Sequence, residues 1–141
     1  MNSLELRYTV DSEDFTLAGD AASRIKKKLK RMELSPDIIR RTSISLYEGE
    51  INMFIHASGG EIIVTVSSDE IVMKLIDRGP GIEDVKLAMR EGYSTAPDNV
   101  RSLGFGAGMG LPNMKKYTDE LEIESEVGVG TTVTMKIYIE Q

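Results

Sequence analysis

One predicted strand near the end of this chain limits the possible folds more than any other segment. Its residues Val133, Met135, Ile137 and Ile139 are apolar and alternate with more polar residues. Alternate side chains of a strand point to opposite faces of its sheet, so one face is expected to be covered and the other to face solvent. Helices are therefore expected on one side of the sheet only.

Strand-like alternation or β-branched composition is found in five segments. These predicted strands are Leu4–Val10, Glu61–Val66, Ile71–Ile76, Glu120–Glu126 and Thr131–Ile139. The first is expected at a sheet edge. Ser67–Glu70 joins the second strand to the third, and Gly128–Gly130 joins the last two, which predicts two turns.

Helical spacing is found in the segments between these strands. The first helix is expected from Thr16 or Asp20 to about Met32, and its apolar positions are Leu17, Ala21, Ile25, Leu29 and Met32. The second is expected from Pro36 to about Ala57, with Ser35 as its N-cap and Gly59-Gly60 at its end. Shorter helices are expected over Glu83–Glu91 and Leu111–Tyr117, on either side of the mobile loop Gly92–Gly108.

The composition is typical of a single cytoplasmic domain. A chain of 141 residues with 40% hydrophobic content suits one domain, here residues 1–141. The absence of cysteine excludes disulfides and thiolate metal sites, and it favours a reducing compartment. No apolar stretch is long enough to cross a bilayer, and the acidic N-terminus lacks the layout of a signal peptide, so no membrane association is expected.

The net charge of −6 argues against nucleic-acid binding, because phosphate neutralisation needs a surplus of lysine and arginine. One local run is basic and consists of Arg24, Lys26, Lys27, Lys28, Lys30 and Arg31. A solvated helix face is the favoured interpretation of this run. A docking patch for an acidic protein partner is the alternative.

Three separated blocks contain residues suited to ligand binding or catalysis. The first block, Glu48-Gly-Glu-Ile-Asn52, lies on the predicted second helix. At 100° per residue, Glu48, Asn52 and His56 fall within an arc of about 80°. This polar arc borders an apolar arc made by Ile44, Ile51 and Ile55, which is expected to face the core. Glu50 lies about 160° from Glu48, so only Glu48 can converge with Asn52 on a shared ligand. Gly49 strengthens this interpretation, since a glycine in mid-helix costs about 1 kcal/mol and usually permits a close approach.

The second block is Asp77-Arg-Gly-Pro-Gly81, a rigid turn after a strand of buried character. A flat ligand could lie against this turn, because Gly79 and Gly81 leave little side-chain bulk behind it. The carboxylate of Asp77 can accept a hydrogen bond from an exocyclic amine, which would discriminate adenine from guanine. Taken alone, the block is also compatible with a purely structural turn.

The third block is a glycine-rich loop immediately before the predicted helix at Leu111. It contains Gly104, Gly106, Gly108 and Gly110. A helix N-terminus attracts phosphate through its unpaired N–H groups and its dipole. The spacing matches neither a Rossmann nor a Walker motif. Lys115 and Lys116 follow within one or two turns; Lys116 is interpreted as a surface charge, and for Lys115 both phosphate contact and surface exposure stay open.

The order of these blocks, with Gly130-Thr131 before the last strand, resembles the gyrase, Hsp90, histidine-kinase and MutL superfamily of ATP-binding domains. The resemblance covers nearly the whole chain. More narrowly, the runs DRGPGIEDVKLAMREGYST and GFGAGMGLPNMKK are similar to the anti-sigma-factor serine/threonine kinases of bacteria, especially their switch-kinase branch. The resemblance implies an α+β fold, a two-layer sandwich of the Bergerat type with a mixed, mostly antiparallel sheet and helices on one face.

The resemblance also implies cofactors and residue roles. ATP and Mg²⁺ would be bound, with Asn52 coordinating the metal and Glu48 acting as the catalytic base. Asp77, supported by Thr131, would bind the adenine amine, and Gly79 and Gly81 would shape that pocket. The third-block glycines, Gly104 through Gly110, belong to an ATP lid over about residues 82–110 that would close over the phosphates.

Three functions follow from the resemblance as hypotheses. The leading one is an ATP-dependent protein kinase that phosphorylates a serine or threonine of a small partner with the antagonist (anti-anti-sigma-like) fold, and that also regulates by binding. The second is a non-catalytic, ATP-gated module that sequesters a sigma factor or another regulator. The third is the detached ATP-binding part of a two-component histidine kinase. Homodimerisation through the exposed first strand or helix is also expected.

Overall fold

The computed structural model describes residues 3–11, 17–56, 59–82 and 110–139, which form a five-stranded sheet covered by helices. In chain order the elements are β1 (Leu4–Val10), α1 (Asp20–Leu29), α2 (Pro36–His56), β2 (Gly60–Val66), β3 (Glu70–Asp77), α3 (Gly110–Tyr117), β4 (Glu120–Glu126) and β5 (Gly130–Tyr138). The strand order is β1-β2-β3-β5-β4, and each of these described pairings is antiparallel. The α+β prediction and the edge position of β1 are confirmed.

Burial alternates along the strands as the sequence predicted. In β5, Val133, Met135 and Ile137 are buried, and the residues between them are partly exposed. In β2 and β3 the fully buried Ile62 and Met73 belong to the same inward-facing set. The core therefore lies between one face of the sheet and the helices, and the opposite face carries the more polar residues.

The long helix α2 begins where the sequence predicted. The hydroxyl of Ser35 accepts a hydrogen bond from the Ile38 N–H at 3.2 Å, so this serine caps the helix. Gly59, just beyond the helix, has φ +101°, a conformation that glycine adopts without strain. Within the described residues, no helix has both the length and the apolar character needed to span a bilayer.

Several details differ from the sequence-based expectations. Leu17 lies outside α1 and is 50% exposed, because the helix starts at Asp20, directly after Gly19 with φ +91°. The strands are slightly displaced from their predicted bounds, so Asp77 is the last residue of β3 and does not follow it. The predicted helix over residues 83–91 and most of the proposed lid lie outside the described residues.

The buried face of α2 also differs from the predicted one. Ile44 and Ile55 were assigned to it with Ile51, but both are only partly buried. The buried side chains on this helix include three polar ones, Thr42, Ser45 and Glu50. The predicted buried face was drawn from apolar residues alone, so it did not include these three polar side chains.

Candidate functional site

Helices α2 and α3 lie side by side and run antiparallel. The Arg41 Nε donates to the Tyr117 carbonyl oxygen at 3.0 Å. Two turns further along α2, the Asn113 Nδ2 donates to the Glu48 Oε1 at 3.4 Å. Residue numbers thus rise along one helix as they fall along the other, and Asn52 comes level with the N-terminal end of α3.

Glu48 is half-buried at the boundary between these two helices. Burial raises the pKa of its carboxyl above the usual range, and the hydrogen bond from Asn113 partly opposes that rise. A carboxylate whose pKa is raised toward neutrality is a better proton acceptor at physiological pH than an exposed one. Glu48 therefore has the electrostatic setting of a general base.

Asn52 lies one helical turn beyond Glu48 and is also half-buried. Its amide forms no hydrogen bond with another residue of the described ranges. The helix α3 begins at Gly110, and the first N–H groups of a helix have no partner within it. An amide oxygen beside such a terminus suits a hard cation that bridges to phosphate oxygens.

Asp77 ends β3 on the helix-covered face of the sheet. Its Oδ1 accepts a hydrogen bond from the Thr131 N–H at 3.0 Å. Burial raises the pKa of Asp77, and the Thr131 hydrogen bond works against that rise. Its neighbour in β2 is Gly60, which has no side chain to cover the carboxylate. One oxygen of Asp77 therefore accepts from Thr131, and the other accepts no hydrogen bond from the described residues.

The turn after Asp77 packs against the loop that joins β4 and β5. Gly81 has φ +79°, and a Cβ there would lie 2.5 Å from the Glu126 carbonyl oxygen. The Gly128 N–H donates to the Pro80 carbonyl oxygen at 2.9 Å. Gly79 lies in the same turn. The glycine at position 81 is thus required by packing within the protein, which holds the turn beside Asp77.

The contact between α2 and β3 determines how Asn52 of the helix and Asp77 of the strand lie relative to each other. A Cβ on Gly49 would overlap the Leu75 Cδ2, so α2 crosses β3 very closely at this point. The two elements run in the same direction, because α2 ends just before Gly60, which pairs with Asp77. From the crossing point, Asn52 and Asp77 both lie toward the same end of the molecule. Asn52 and Asp77 therefore lie at one end of the helix–sheet interface.

The remaining predicted residues divide into two groups. Lys115 and Lys116 are both exposed on α3, and the Lys116 Nζ lies 5.4 Å from the centre of the Tyr117 ring. Gly104, Gly106 and Gly108 lie outside the described residues, and Gly110 is the first residue of α3. Within the described residues, no cluster of three or more His, Cys, Asp or Glu side chains could hold a metal ion by itself.

Three residues near the site were missed by the sequence analysis. Asn113 contacts Glu48, and Ser125 lies in hydrogen-bond contact with Thr131. Glu50 is buried and accepts hydrogen bonds from three backbone N–H groups at the start of α1. The one signal in the sequence was a polar residue at an inward-facing position, as at Ser125 in the alternating run Leu121, Ile123, Ser125.

Comparison with known proteins gives a matching family and several relatives. Residues 40–141 match the family described as histidine kinase-, DNA gyrase B-, and HSP90-like ATPase. A protein named anti-sigma F factor from Caldanaerobacter subterraneus is 35% identical, over 98% of this chain and 94% of its own length. The anti-sigma F factor of Clostridium acetobutylicum is 30% identical, over 96% and 92% respectively.

Two solved structures share the fold. The RsbU and RsbW domains of a Mycobacterium tuberculosis protein match with a TM-score of 0.65 at 16% identity, over 98% of this chain and 33% of that one. The mycobacterial sensor histidine kinase MprB matches with a TM-score of 0.56 at 14% identity, over 97% of this chain and 99% of that one. At these identities the likeness concerns the fold alone.

Proposed function

We propose, because the chain belongs to the family of histidine kinase-, DNA gyrase B- and HSP90-like ATPases, that it is an ATP-dependent serine/threonine protein kinase of the anti-sigma-factor type. Its substrate would be a small cytoplasmic partner protein with the antagonist fold, and a sigma factor would be a further binding partner. The observation that carries the proposal is that Asn52 and Asp77 lie toward the same end of the α2–β3 contact, with Glu48 one helical turn before Asn52.

Asp77 and Thr131 would bind the adenine ring. The Thr131 N–H already donates to one carboxylate oxygen, which orients the other for a ligand. A carboxylate accepts from the exocyclic amine of adenine but is repelled by the carbonyl that guanine has at that position. The packed turn at Gly79 and Gly81, which follows Asp77 directly, suits a flat base.

Asn52 and the start of α3 would hold the phosphate end. Asn52 would coordinate Mg²⁺, and an ion that keeps several waters and phosphate oxygens needs few protein ligands. The metal would neutralise negative charge on the phosphates. Gly110 opens α3 here, and Gly104, Gly106 and Gly108 are proposed as phosphate contacts, within a lid over about residues 82–110, from the sequence alone. Lys115 is proposed as a weaker candidate, since it is exposed on α3.

Glu48 would act as the base that accepts the proton of the attacking hydroxyl. Its half-burial and its contact with Asn113 fix the carboxylate at the α2–α3 boundary. Phosphoryl transfer depends mainly on positioning and charge stabilisation, so the protein needs few reactive groups of its own. Glu48 is the residue that separates phosphoryl transfer from nucleotide binding in this proposal.

The test is incubation with γ-labelled ATP and a candidate partner protein of the antagonist fold. The kinase proposal predicts an acid-stable phosphoprotein with the wild type and at least a 100-fold slower reaction with Glu48→Gln, because a positioned base contributes about 10²- to 10⁴-fold. ATP binding by Glu48→Gln should persist. Equal rates in the two proteins would contradict the assignment of the base.

A non-catalytic binding module is the second candidate, and the name anti-sigma F factor of the similar proteins favours it. In that case the partner would bind in the presence of ATP but would carry no label. A detached histidine-kinase part would instead give acid-labile phosphate on a histidine. The same experiment therefore distinguishes all three functions.

A further inference from the structure

We propose that Asn113 is a positioning residue that orients the Glu48 carboxylate for phosphoryl transfer, an inference that rests on the proposed function. Asn113 lies in α3 and Glu48 in α2, and both side chains are half-buried where the two helices meet. The Asn113 Nδ2 donates to the Glu48 Oε1 at 3.4 Å. This contact joins the proposed base to the helix that begins at the proposed phosphate end of the site.

Contacts on two other sides of α2 fix its rotation at this point. Successive residues of a helix point about 100° apart, so Glu48 and the two residues after it face three different directions. A Cβ on Gly49 would overlap Leu75 of β3, and Glu50 accepts hydrogen bonds from N–H groups at the start of α1. The backbone at Glu48 cannot turn about the helix axis without breaking these contacts, so its side chain is directed toward α3.

The remaining freedom of Glu48 is rotation about its own side-chain bonds. Among the described residues, Asn113 is the one hydrogen-bond partner of its carboxylate. Asn113 is itself held in place, because the next residue, Met114, is fully buried and its sulfur would lie 3.5 Å from a Cβ on Gly49. The amide of Asn113 therefore selects the side-chain conformation in which the Glu48 carboxylate stays at the α2–α3 boundary.

The same hydrogen bond affects the protonation of the base. Burial raises the pKa of Glu48, and donation by Asn113 favours the ionised carboxylate and so opposes that rise. Without the Asn113 amide the pKa of Glu48 should therefore be higher, and a smaller fraction of the base would be ionised at neutral pH.

No charged side chain of the described residues forms an ion pair with Glu48. On α2, Glu50 is turned toward α1, and Arg41 pairs with Asp119 at 3.2 Å. Both lysines of α3 are exposed. Asn113 is therefore the neighbour whose removal should change both the orientation and the ionisation of the Glu48 carboxylate.

The experiment measures phosphoryl transfer from ATP to a candidate antagonist-fold partner as a function of pH. In Asn113→Ala we expect kcat at neutral pH to fall about 3- to 10-fold, the size expected for one hydrogen bond, with the KM for ATP unchanged. The acid limb of its pH profile should move to higher pH, because the base is harder to ionise. Asn113→Asp, which replaces the donor by a second carboxylate, should move the limb further in the same direction. Asn113→Gln, which keeps the amide on a longer side chain, should restore much of the rate.

Controls separate this role from a merely structural one. Alanine favours a helix more than asparagine does, so Asn113→Ala should unfold at the same urea concentration as the wild type or at a higher one. Lys116→Ala, at an exposed position of the same helix, should keep the wild-type rate and pH profile. An acid limb that stays in place in both Asn113→Ala and Asn113→Asp would overturn the inference.

A second measurement needs no partner protein. Carbon-13 NMR of labelled glutamate carboxyls, with the Glu48 signal assigned through Glu48→Gln, should show a higher pKa for Glu48 in Asn113→Ala than in the wild type. Equal pKa values in the two proteins would overturn the inference even if the wild type is an active kinase. Absence of phosphoryl transfer by the wild type would instead overturn the proposed function, and with it the role of Asn113 in the reaction.

Discussion

Two carboxylates of this site, those of Glu48 and Asp77, destabilise the fold when they are ionised. Glu48 and Asp77 are both partly buried, and burial raises the pKa of each above its usual range. A carboxyl whose folded-state pKa is raised binds its proton more tightly in the folded state than in the unfolded state. Its contribution to stability is therefore present at low pH and is lost as the pH rises through the folded-state pKa.

This sign gives a prediction for Glu48→Gln. We expect the variant to be more stable than the wild type at pH 8 by about 0.5–2 kcal/mol, the range common for single stabilising substitutions. The difference should shrink at pH 5, where Glu48 of the wild type is more fully protonated. Urea unfolding at both pH values measures it. A variant that is less stable, or a difference that does not change with pH, would contradict the burial of this carboxylate.

Between elements, the most consequential contact is that of Glu50 with α1. The N-cap position, Gly19, has no side chain, and the Glu50 carboxylate accepts from the N–H groups of Gly19, Ala21 and Ala22 at 2.8–3.2 Å. Burial raises the pKa of Glu50, and these hydrogen bonds oppose the rise. A residue of α2 therefore caps α1 and ties the basic helix to the helix that bears the site.

We expect Glu50→Ala to lose about 2–3 kcal/mol of unfolding free energy, because the two buried N–H groups of Ala21 and Ala22 and the part-buried N–H of Gly19 would be left without this acceptor. A lower midpoint in urea, with loss of helical circular dichroism, measures the effect. Glu33→Ala is the matched control, since Glu33 is exposed just beyond α1. Equal midpoints for Glu50→Ala and the control would show that this cap does not hold α1.

The close crossing of α2 over β3 gives a second prediction between elements. Gly49→Ala should destabilise the protein by about 1–3 kcal/mol, because the new Cβ would overlap the Leu75 side chain. Adding Leu75→Val should recover part of this loss, which a double-mutant cycle measures as a coupling energy. A stabilisation of about 1 kcal/mol, the usual gain of alanine over glycine in a helix, would show that α2 does not approach β3 so closely.

These contacts show what the sequence could predict and what it could not. Local rules found Ser35 as a cap, the alternation of β5, and Glu48 and Asn52 on one side of α2. They left the start of α1 open between Thr16 and Asp20, since the choice of Asp20 depends on Glu50, about 30 residues away in the chain. They also missed Ser125, whose partners are set by strand register and by a turn 43 residues earlier.

At the scale of the whole molecule, the two sheet edges differ in charge. The edge strand β4 bears four exposed glutamates, Glu120, Glu122, Glu124 and Glu126, which oppose pairing with an identical strand. In β1, Arg7 pairs with Glu5 and Glu61, so that edge carries no comparable excess of one sign. We expect a homodimer to form through β1, and light scattering that shows a monomer at micromolar concentration would contradict it.

Helix α1 and the sheet edge at β4 carry opposite charges. The six basic residues at positions 24–31 are exposed on or just beyond α1, and Arg24 pairs with Asp20 at 3.0 Å. This exposure is consistent with both predicted interpretations of the basic run. The docking of an acidic partner on it stays a prediction.

The central claim is that Asp77 recognises the adenine of ATP, and titration calorimetry with Mg-ATP tests it most directly. We expect the wild type to bind ATP and not GTP, and Asp77→Asn to bind ATP roughly 10- to 100-fold more weakly, because a charged hydrogen bond is worth about 1.5–3 kcal/mol. Glu33→Gln, a change at an exposed carboxylate, should bind as the wild type does. Binding of equal strength by Asp77→Asn, or no heat from ATP with folded wild-type protein, would contradict the account.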